Sequence, residues 1–465
     1  MGQVNKNQFF KIGEFEMSLA IGLIFLLIPS FGFAHSEGVT GNKFKTLEEK
    51  VEKLMKDMPK LKDGKSFDAH GVKKQRIKNP YYHKKGTHFE SKDGNFSTNL
   101  QWRAQLRFHK GIRSDPREAS AFGGQHINNF EARRLRIKVG GHGYKYVKYY
   151  FEIDLQPARA IGGETQQDRA RIIDWRIDVQ PYEWFGFRVG QWKINYNRER
   201  VDSSGRQQFV ERSIVNREMT IDRQVGVLIK GRFNKGTPAE FRYYAGIFNG
   251  EGRAVLNPNA NMMKMARIQW NPLGVDLKWR QSDVKRHKKA GLSIAGAWST
   301  NHGACTRWSS SGCGSGIDGF VSGQTADGNR YEVDQWLFEV AYKHQGFSLQ
   351  HEYHWKEIKD TTASQTYDME GSYAQVGYFL NEIAPSIPEE LELAFRYAFV
   401  DQPDAEPSLI LNNNTRREYT WAVNYFIAGH GNKITADFSY LTLDDSSENK
   451  FYNENRFRLQ WDISF

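Results

Sequence analysis

Beyond its first 34 residues the chain lacks any long apolar run. No later stretch approaches the ~20 apolar residues that a membrane-spanning helix needs. A helical membrane protein is therefore excluded. Charged residues make up 26% of the 465 residues and aromatic residues 14%. This composition still permits a membrane β-barrel, because strands with one apolar and one polar face average to a hydrophilic sequence.

The chain also lacks the short motifs of common catalytic sites. It has no Gly-x-Ser-x-Gly elbow, no His-Glu-x-x-His helix and no phosphate-binding loop. Its 13 histidines are scattered, and its many Asp and Glu residues single out no acid–base pair. We therefore expect no enzyme, no catalytic residue, no cofactor and no metal site.

Residues 1–34 are typical of a secretory signal. Two lysines precede an apolar core from Leu19 to Phe33, and small residues end it before His35. Met17 is an alternative start. A retained membrane anchor is the competing interpretation, which the short apolar core disfavours. We expect an exported mature chain and, since no nucleic-acid-binding module is recognisable, no nucleic-acid partner.

Residues 35–95 are predicted to be a periplasmic N-terminal segment, which is basic and carries more than half of the net charge of +11. Apolar residues recur there three and four positions apart and define one side of a helix over residues 44–61: Phe44, Leu47, Val51, Leu54, Met58 and Leu61. This helix is either a short coiled coil that joins subunits or a lone amphipathic helix. Residues 62–95 have no periodicity and are predicted to be a linker.

From Phe96 to Phe465 apolar and polar residues alternate, as in strands with two different faces. The runs reach about ten residues, the span of a lipid bilayer. Besides the first and last strands, the alternation predicts strands at 127–141, 146–156, 169–180, 186–194, 219–233, 239–249, 262–271, 290–300, 331–344, 347–359, 370–380, 391–401, 415–428 and 433–444. The total is sixteen. We assign a further candidate, Val275–Gln281, to a periplasmic connector, because a bacterial barrel needs an even number of strands.

Alternate connections between these strands are short and turn-like, and the others are longer. Short periplasmic turns and long external loops are typical of barrels in a bacterial outer membrane. One external loop contains Cys305 and Cys313. In an exported protein two nearby cysteines favour a disulfide over a metal site.

The polar faces of the first eight strands carry more positive than negative charge. The basic residues are Arg103, Arg107, Arg134, Arg136, Lys138, Lys148, Arg176, Arg188, Lys230, Arg232, Arg242 and Arg267. The acidic residues are Glu152, Asp154, Asp174, Asp178 and Asp222. We expect one electropositive wall of the lumen, represented by Arg103, Arg107, Arg134, Arg136 and Lys138, that attracts anions. The alternative is that these cations pair with acids and leave a neutral wall.

Between Val189 and Val227 the pattern predicts a strand, a long Arg-rich loop that folds into the lumen, and a return strand. Arginine suits an oxyanion because its planar fork donates two hydrogen bonds. We predict that the loop arginines form an anion-binding constriction: Arg198, Arg200, Arg206 and Arg212. Glu211 is predicted to attach the loop to the barrel wall by charge pairing.

Four motifs in the barrel region resemble the phosphate-selective porin O and P family of outer-membrane channels. They are Glu131-Ala-Arg-Arg-Leu-Arg136, Val189-Gly-Gln-Trp-Lys193, Phe209-Val-Glu-Arg-Ser213 and Asp222-Arg-Gln-Val-Gly-Val227, and the terminal Phe465 is also similar to the end of bacterial outer-membrane barrels. The resemblance implies a sixteen-stranded barrel in a Gram-negative outer membrane, a homotrimer, and a third external loop folded inward, here Asn195–Glu218.

The expected function is passive diffusion of small anions, with phosphate or polyphosphate favoured. This chain departs from strongly phosphate-selective relatives, which often use lysines at the constriction, because its loop has none and is almost balanced in charge. The alternatives are a nonselective or sugar porin of the same fold and, from another class, an outer-membrane enzyme or adhesin.

Overall fold

The computed structural model describes residues 81–83, 86–112, 122–124, 126–144, 146–155, 170–308, 320, 328–402, 414–446 and 449–465. The predicted signal (1–34) and the predicted helix (44–61) lie outside these residues, so both remain predictions. Among the residues described, no helix is both long enough and apolar enough to cross a membrane.

Sixteen antiparallel strands close into one barrel, which confirms the architecture predicted from the alternation. The strands are β1 (Ser97–Ile112), β2 (His126–Gly143), β3 (Val147–Asp154), β4 (Arg171–Val179), β5 (Gly186–Lys193), β6 (Arg223–Phe233), β7 (Glu240–Phe248), β8 (Met263–Asn271), β9 (Gly291–Gly303), β10 (Tyr331–His344), β11 (Phe347–Asp360), β12 (Gln365–Phe379), β13 (Leu391–Gln402), β14 (Asn414–Tyr425), β15 (Asn432–Asp445) and β16 (Lys450–Ser464). The stretch from Val275 to Gln281 contains no strand and belongs to a connector between β8 and β9.

The side chains alternate between the two faces of the barrel wall. On β10, Trp336 and Phe338 are 42% and 44% exposed on the outer face, whereas Gln335 and Leu337 are 1% and 4% exposed on the inner face. Successive side chains of a strand point to opposite faces. Alternation of apolar and polar residues therefore places the apolar side chains of Trp336 and Phe338 on the outer face. The outer face can thus meet lipid while the inner face meets loops and water.

The barrel closes between its last and first strands. β16 pairs with β1 from Arg456↔Gly111 to Ser464↔Arg103. At the end of this seam the rings of Trp102 and Phe465 stack with their centroids 5.3 Å apart. The C-terminal Phe465 therefore packs directly on the first strand.

Two short strands occupy part of the stretch predicted to be a linker. Residues Tyr81–His83 pair with Gly86–Glu90, and the second of these strands pairs with β1 from Thr87↔Leu100 to Glu90↔Ser97. β1 extends past the end of β16, and the free edge of a strand tends to pair with another strand. Alternation alone could not reveal these strands because each is very short.

Most of the short turns lie at one end of the barrel, where residues 272–290 are a long exception, and most of the longer loops lie at the other end. Gln345 and Gly346, for example, are all that separates β10 from β11, whereas residues 194–222 separate β5 from β6. The end with short turns is periplasmic in barrels of this type. Depths along the lumen are described below on this basis.

Gly190 on β5 illustrates a close backbone contact that only glycine permits. Its φ is +129°, and a Cβ there would lie 2.3 Å from the carbonyl oxygen of Trp175. We expect Gly190→Ala to destabilise the barrel by roughly 1–3 kcal/mol and to lower the temperature at which the refolded barrel unfolds. Gly296→Ala is the control, because its Cβ would find only the carbonyl oxygen of Leu337, at 3.7 Å. Equal unfolding temperatures for the two variants would contradict this account.

Candidate functional site

The loop between β5 and β6, residues 194–222, lies inside the barrel and is called the inner loop here. It contains two short helices, α1 (Arg198–Val201) and α2 (Val215–Met219). Many of its side chains are fully enclosed; Tyr196, Val215 and Asp222 are each 0% exposed. The inner loop is therefore packed against the wall rather than projecting into solvent.

Five buried acidic side chains of strands β10–β15, the far wall, hold the inner loop, and we call them the anchoring carboxylates. They are Glu339, Glu352, Glu392, Glu418 and Asp437. Four of them accept hydrogen bonds from backbone N–H groups of the loop: Arg198 to Glu339 at 3.0 Å, Glu199 to Glu352 at 2.7 Å, Val210 to Asp437 at 3.0 Å and Ile214 to Glu418 at 2.9 Å. Glu392 accepts from the side chain of Gln208 at 2.8 Å. Hydrogen bonds to ionised acceptors are the stronger class.

The connector between β8 and β9, residues 272–290, contacts the inner loop from the periplasmic side. The backbone N–H of Gln208 donates to the side chain of Gln281 at 2.6 Å, and Arg280 pairs with Asp202 at 2.5 Å. The guanidinium of Arg198 also donates to the backbone oxygen of Lys278. The connector is thus a second segment that occupies the lumen.

An apolar cluster fills the external half of the barrel next to the far wall. α2 contributes Val215 and Met219, and a bridge between Ile221 and Trp308 joins the inner loop to a second external loop. The strands contribute inward apolar residues that include Met263, Met265, Val333, Leu337, Ile358, Met369, Val400 and Leu441. Burial of this apolar surface closes that side of the barrel to water.

A passage lies between the inner loop and strands β1–β6, the near wall. It consists of three cavities of about 110, 350 and 440 Å³, from the external side to the periplasmic side. Consecutive cavities share lining residues: Arg136, Lys193 and Arg223 line the first two, and Lys138 and Arg188 line the second and third. The three cavities therefore adjoin one another along one wall.

The smallest cavity is strongly basic. One acidic residue, Asp154, lines it. Its basic lining residues are Arg133, Arg134, Arg136, Arg171, Lys193, Arg200, Arg212, Arg223 and Arg253. Its 110 Å³ is comparable to a few water molecules at about 30 Å³ each, a space suited to a small, partly dehydrated anion.

The four loop arginines predicted to bind anions have different surroundings. Arg198 is 0% exposed and pairs with Glu339 at 2.8 Å, so it is not available to a solute. Arg200 lines the smallest cavity but donates two hydrogen bonds to Asp222. These two arginines fix the loop.

Arg206 and Arg212 differ because no described carboxylate lies within ion-pair distance of either. The guanidinium of Arg212 donates to the backbone oxygens of Glu199 at 2.8 Å and Asp202 at 2.7 Å. Lys193 likewise donates to the backbone oxygen of Asp202 at 3.2 Å. Carbonyl groups orient these cations without neutralising their charge, so the charge acts on the passage.

Most of the predicted wall cations have carboxylate partners. Arg103 lies 3.7 Å from Asp462, and Arg136 pairs with Glu152 at 2.9 Å and Asp154 at 3.0 Å. In contrast, Lys138 has no ion pair with any residue in the described part of the chain. Carboxylates thus neutralise part of the positive charge of the wall, but not all of it.

Glu211, the residue predicted to attach the loop, accepts hydrogen bonds from three near-wall arginines. The oxygen–nitrogen distances are 2.8 Å to Arg107, 2.7 Å to Arg133 and 3.1 Å to Arg134. Glu211 is thus shared by three cations, and Arg107 also lies 3.4 Å from Glu131. Asp178 is shared in the same way by Arg176, Arg188 and Lys230, and such sharing leaves the near wall positive.

Arg133 reaches the lumen through a β-bulge that the alternation could not predict. Gln105 pairs with Arg134 and the next residue, Leu106, pairs with Ala132, so Arg133 is the extra residue on β2. A bulge redirects a side chain. In the sequence, the signal that could have revealed the bulge is the pair of consecutive arginines in the Glu131–Arg136 motif.

Cys305 is buried and disulfide-bonded. Its predicted partner, Cys313, lies outside the described residues, so the pairing itself remains a prediction. Within the part of the chain that is described, no three potential metal ligands cluster.

The chain matches the family described as phosphate-selective porin O and P over residues 107–463. Among solved structures it is similar to a loop L8 deletion mutant of OmpT, an outer membrane protein of Vibrio cholerae, with 12% identity, a TM-score of 0.51 and coverage of 80% of this chain and 100% of that one. It is also similar to an anion-selective porin from Comamonas acidovorans, with 10% identity, a TM-score of 0.50 and the same two coverages. At these identities the likeness shows the fold alone. None of the curated proteins matches the chain.

Substitution of Glu339 tests whether the anchoring carboxylates hold the inner loop. The carboxylate of Glu339 binds two buried cations, Arg198 and Arg267, each at 2.8 Å. Removing one partner of a buried ion pair typically costs about 3–5 kcal/mol. We therefore expect Glu339→Gln to loosen the inner loop, seen as trypsin cleavage within residues 194–222 of the refolded barrel. Glu357→Gln, on the exposed outer face of β11, is the control. Equal resistance to trypsin in both variants would contradict the anchoring.

Proposed function

Because the chain belongs to the phosphate-selective porin O and P family, we propose that it is an outer-membrane porin for passive diffusion of small anions. The family indicates a channel in a Gram-negative outer membrane rather than an enzyme. The anion preference is supported by one observation above all. The open passage runs along the near wall, where Lys138, Lys193, Arg206 and Arg212 have no carboxylate partner among the described residues.

An anion entering from outside would first meet the 110 Å³ cavity. There it exchanges part of its hydration for guanidinium and ammonium donors. A cation-lined passage with low-dielectric walls also raises the local anion concentration and repels cations. Binding must stay weak for transport, and the shared carboxylates Glu211 and Asp178 moderate the positive field.

The proposed constriction is the smallest cavity, where Lys193, Arg200 and Arg212 are among the lining residues, and Arg206 lines the adjoining 350 Å³ cavity. Arg198 is left out because it is fully buried against Glu339 and lines neither cavity. Phosphate is the favoured solute, since arginine forks match the geometry of its oxygens. A homotrimer, as the family resemblance implies, is part of the proposal, and the native mass of the detergent-solubilised protein tests it.

The charge of the passage is tested by the triple substitution of Lys193, Arg206 and Arg212 by Gln. We expect the anion-to-cation permeability ratio in a tenfold KCl gradient to fall by up to about tenfold. The measurement is the zero-current potential of single channels in a planar bilayer. The double variant Lys193→Gln/Arg206→Gln keeps the loop contacts of Arg212 and should shift the potential in the same direction by less.

The matched control removes the same three positive charges from the outer face of the barrel, at Lys110, Lys264 and Lys359. These side chains are exposed away from the lumen, so we expect an unchanged zero-current potential. Equal shifts in the two triple variants would contradict a role for the passage cations.

Phosphate itself is tested by its effect on chloride current through the unmodified channel. We expect added phosphate to reduce the current and the triple variant of Lys193, Arg206 and Arg212 to weaken that block, because it removes the cations that have no carboxylate partner among the described residues. Block of equal strength in both proteins would place the phosphate site elsewhere. An open channel indifferent to the sign of the ion would favour a nonselective or sugar porin.

A further inference from the structure

The 350 Å³ cavity on the periplasmic side of the constriction combines aromatic and cationic side chains. Tyr150, Trp192 and Trp279 line it together with Lys138 and Arg206. We call these five residues the aromatic chamber. Two acidic residues, Glu152 and Asp174, also line the cavity, and they pair with Arg136 and Arg223. An inorganic anion needs the cations but has no use for three aromatic side chains, so their presence calls for a separate explanation.

Trp192 on β5 contributes a buried aromatic ring to the chamber wall. The residue is 1% exposed, and its indole Nε1 is enclosed without a hydrogen-bond partner among the described residues. The ring lies 5.6 Å from the ring of Phe248 and 5.3 Å from the guanidinium carbon of Arg188. Trp192 therefore shapes the chamber, but its N–H donor is closed to a solute.

Trp279 provides an apolar wall whose orientation is fixed. The guanidinium carbons of Arg267 and Arg198 lie 4.9 and 5.5 Å from its ring centroid. Both arginines are themselves bound to Glu339. The indole is only partly buried, so some of its surface faces the chamber.

The two chamber cations are available to a carboxylate. Neither Lys138 nor Arg206 forms an ion pair with any of the described residues. The volume also fits, because a cavity of about 150 Å³ holds a benzene molecule and small-molecule sites begin near 300 Å³. The chamber thus has room for a six-membered ring, its carboxylate and some water.

We propose that the aromatic chamber binds monocyclic aromatic carboxylates and so extends the solutes of the channel from inorganic to ring-bearing organic anions. The carboxylate meets Lys138 and Arg206, while the ring packs on Trp279. This inference rests on the proposed anion-porin function, which it deepens by naming a solute class.

Benzoate is the probe, with acetate as the carboxylate that lacks a ring. In single-channel recordings in KCl, we expect benzoate to block the chloride current at a concentration roughly tenfold lower than acetate does. Each anion is added from either side of the bilayer, because the chamber lies on the periplasmic side of the constriction. Phosphate block serves as the internal reference.

Two variants locate the site. Trp279→Leu removes the aromatic wall and should bring benzoate block to the level of acetate block with phosphate block unchanged. Lys138→Gln removes one of the two chamber cations, and it should weaken benzoate block several-fold even if Trp279→Leu folds poorly. Trp336→Phe, on the outer face of β10, is the control and should behave as the unmodified channel does.

The outcomes separate the two proposals. A channel that selects anions but is blocked equally by benzoate and acetate, or whose benzoate block survives both chamber variants, overturns the inference and leaves the anion porin intact. Ring-dependent block in a channel that does not select anions would support the chamber and overturn the anion-porin function.

Discussion

The attachment of the inner loop to one side of the barrel is the interaction on which the rest of the structure depends. Buried carboxylates of the far wall accept backbone N–H groups of the loop, and the apolar cluster around α2 and Trp308 covers it from outside. An ionised carboxylate deep in a protein is stable only when it is paired and hydrogen-bonded. The loop amides and the arginines of the far wall, such as Arg396 beside Glu418, meet that requirement together.

This use of acidic residues has an electrostatic consequence. Carboxylates of the far wall are occupied by the loop and by neighbouring arginines, whereas the near wall has too few acids for its bases. Glu211 and Asp178 each serve three cations. The open passage follows the near wall, so position and charge coincide, and the anion porin that we propose needs no dedicated high-affinity site for its sign preference.

The strands were predictable because lipid on one face and water on the other impose a period of two over every span. The same period gave the inward direction of Arg103, Arg134 and Lys138. It could not give the bulge at Arg133, which breaks the period, or the anchoring pairs, whose members lie 141 to 227 residues apart. The period also could not show that Arg198 is paired with a carboxylate whereas Arg206 is not, because that pairing depends on a residue of another strand. The apolar cluster left a visible signal in strands with apolar residues on both faces, such as Met263 and Met265.

Cysteine accessibility tests the location of the passage and the sign of its charge together. Lys138→Cys places a thiol on the near wall in the passage, and Ser439→Cys places one on the lumen face of β15, where the native side chain is 0% exposed. The account predicts that an anionic methanethiosulfonate reacts with the Cys at 138 faster than a cationic one does and reduces the chloride current, while the Cys at 439 stays unreactive. Reaction at 439, or faster reaction of the cationic reagent at 138, would contradict it.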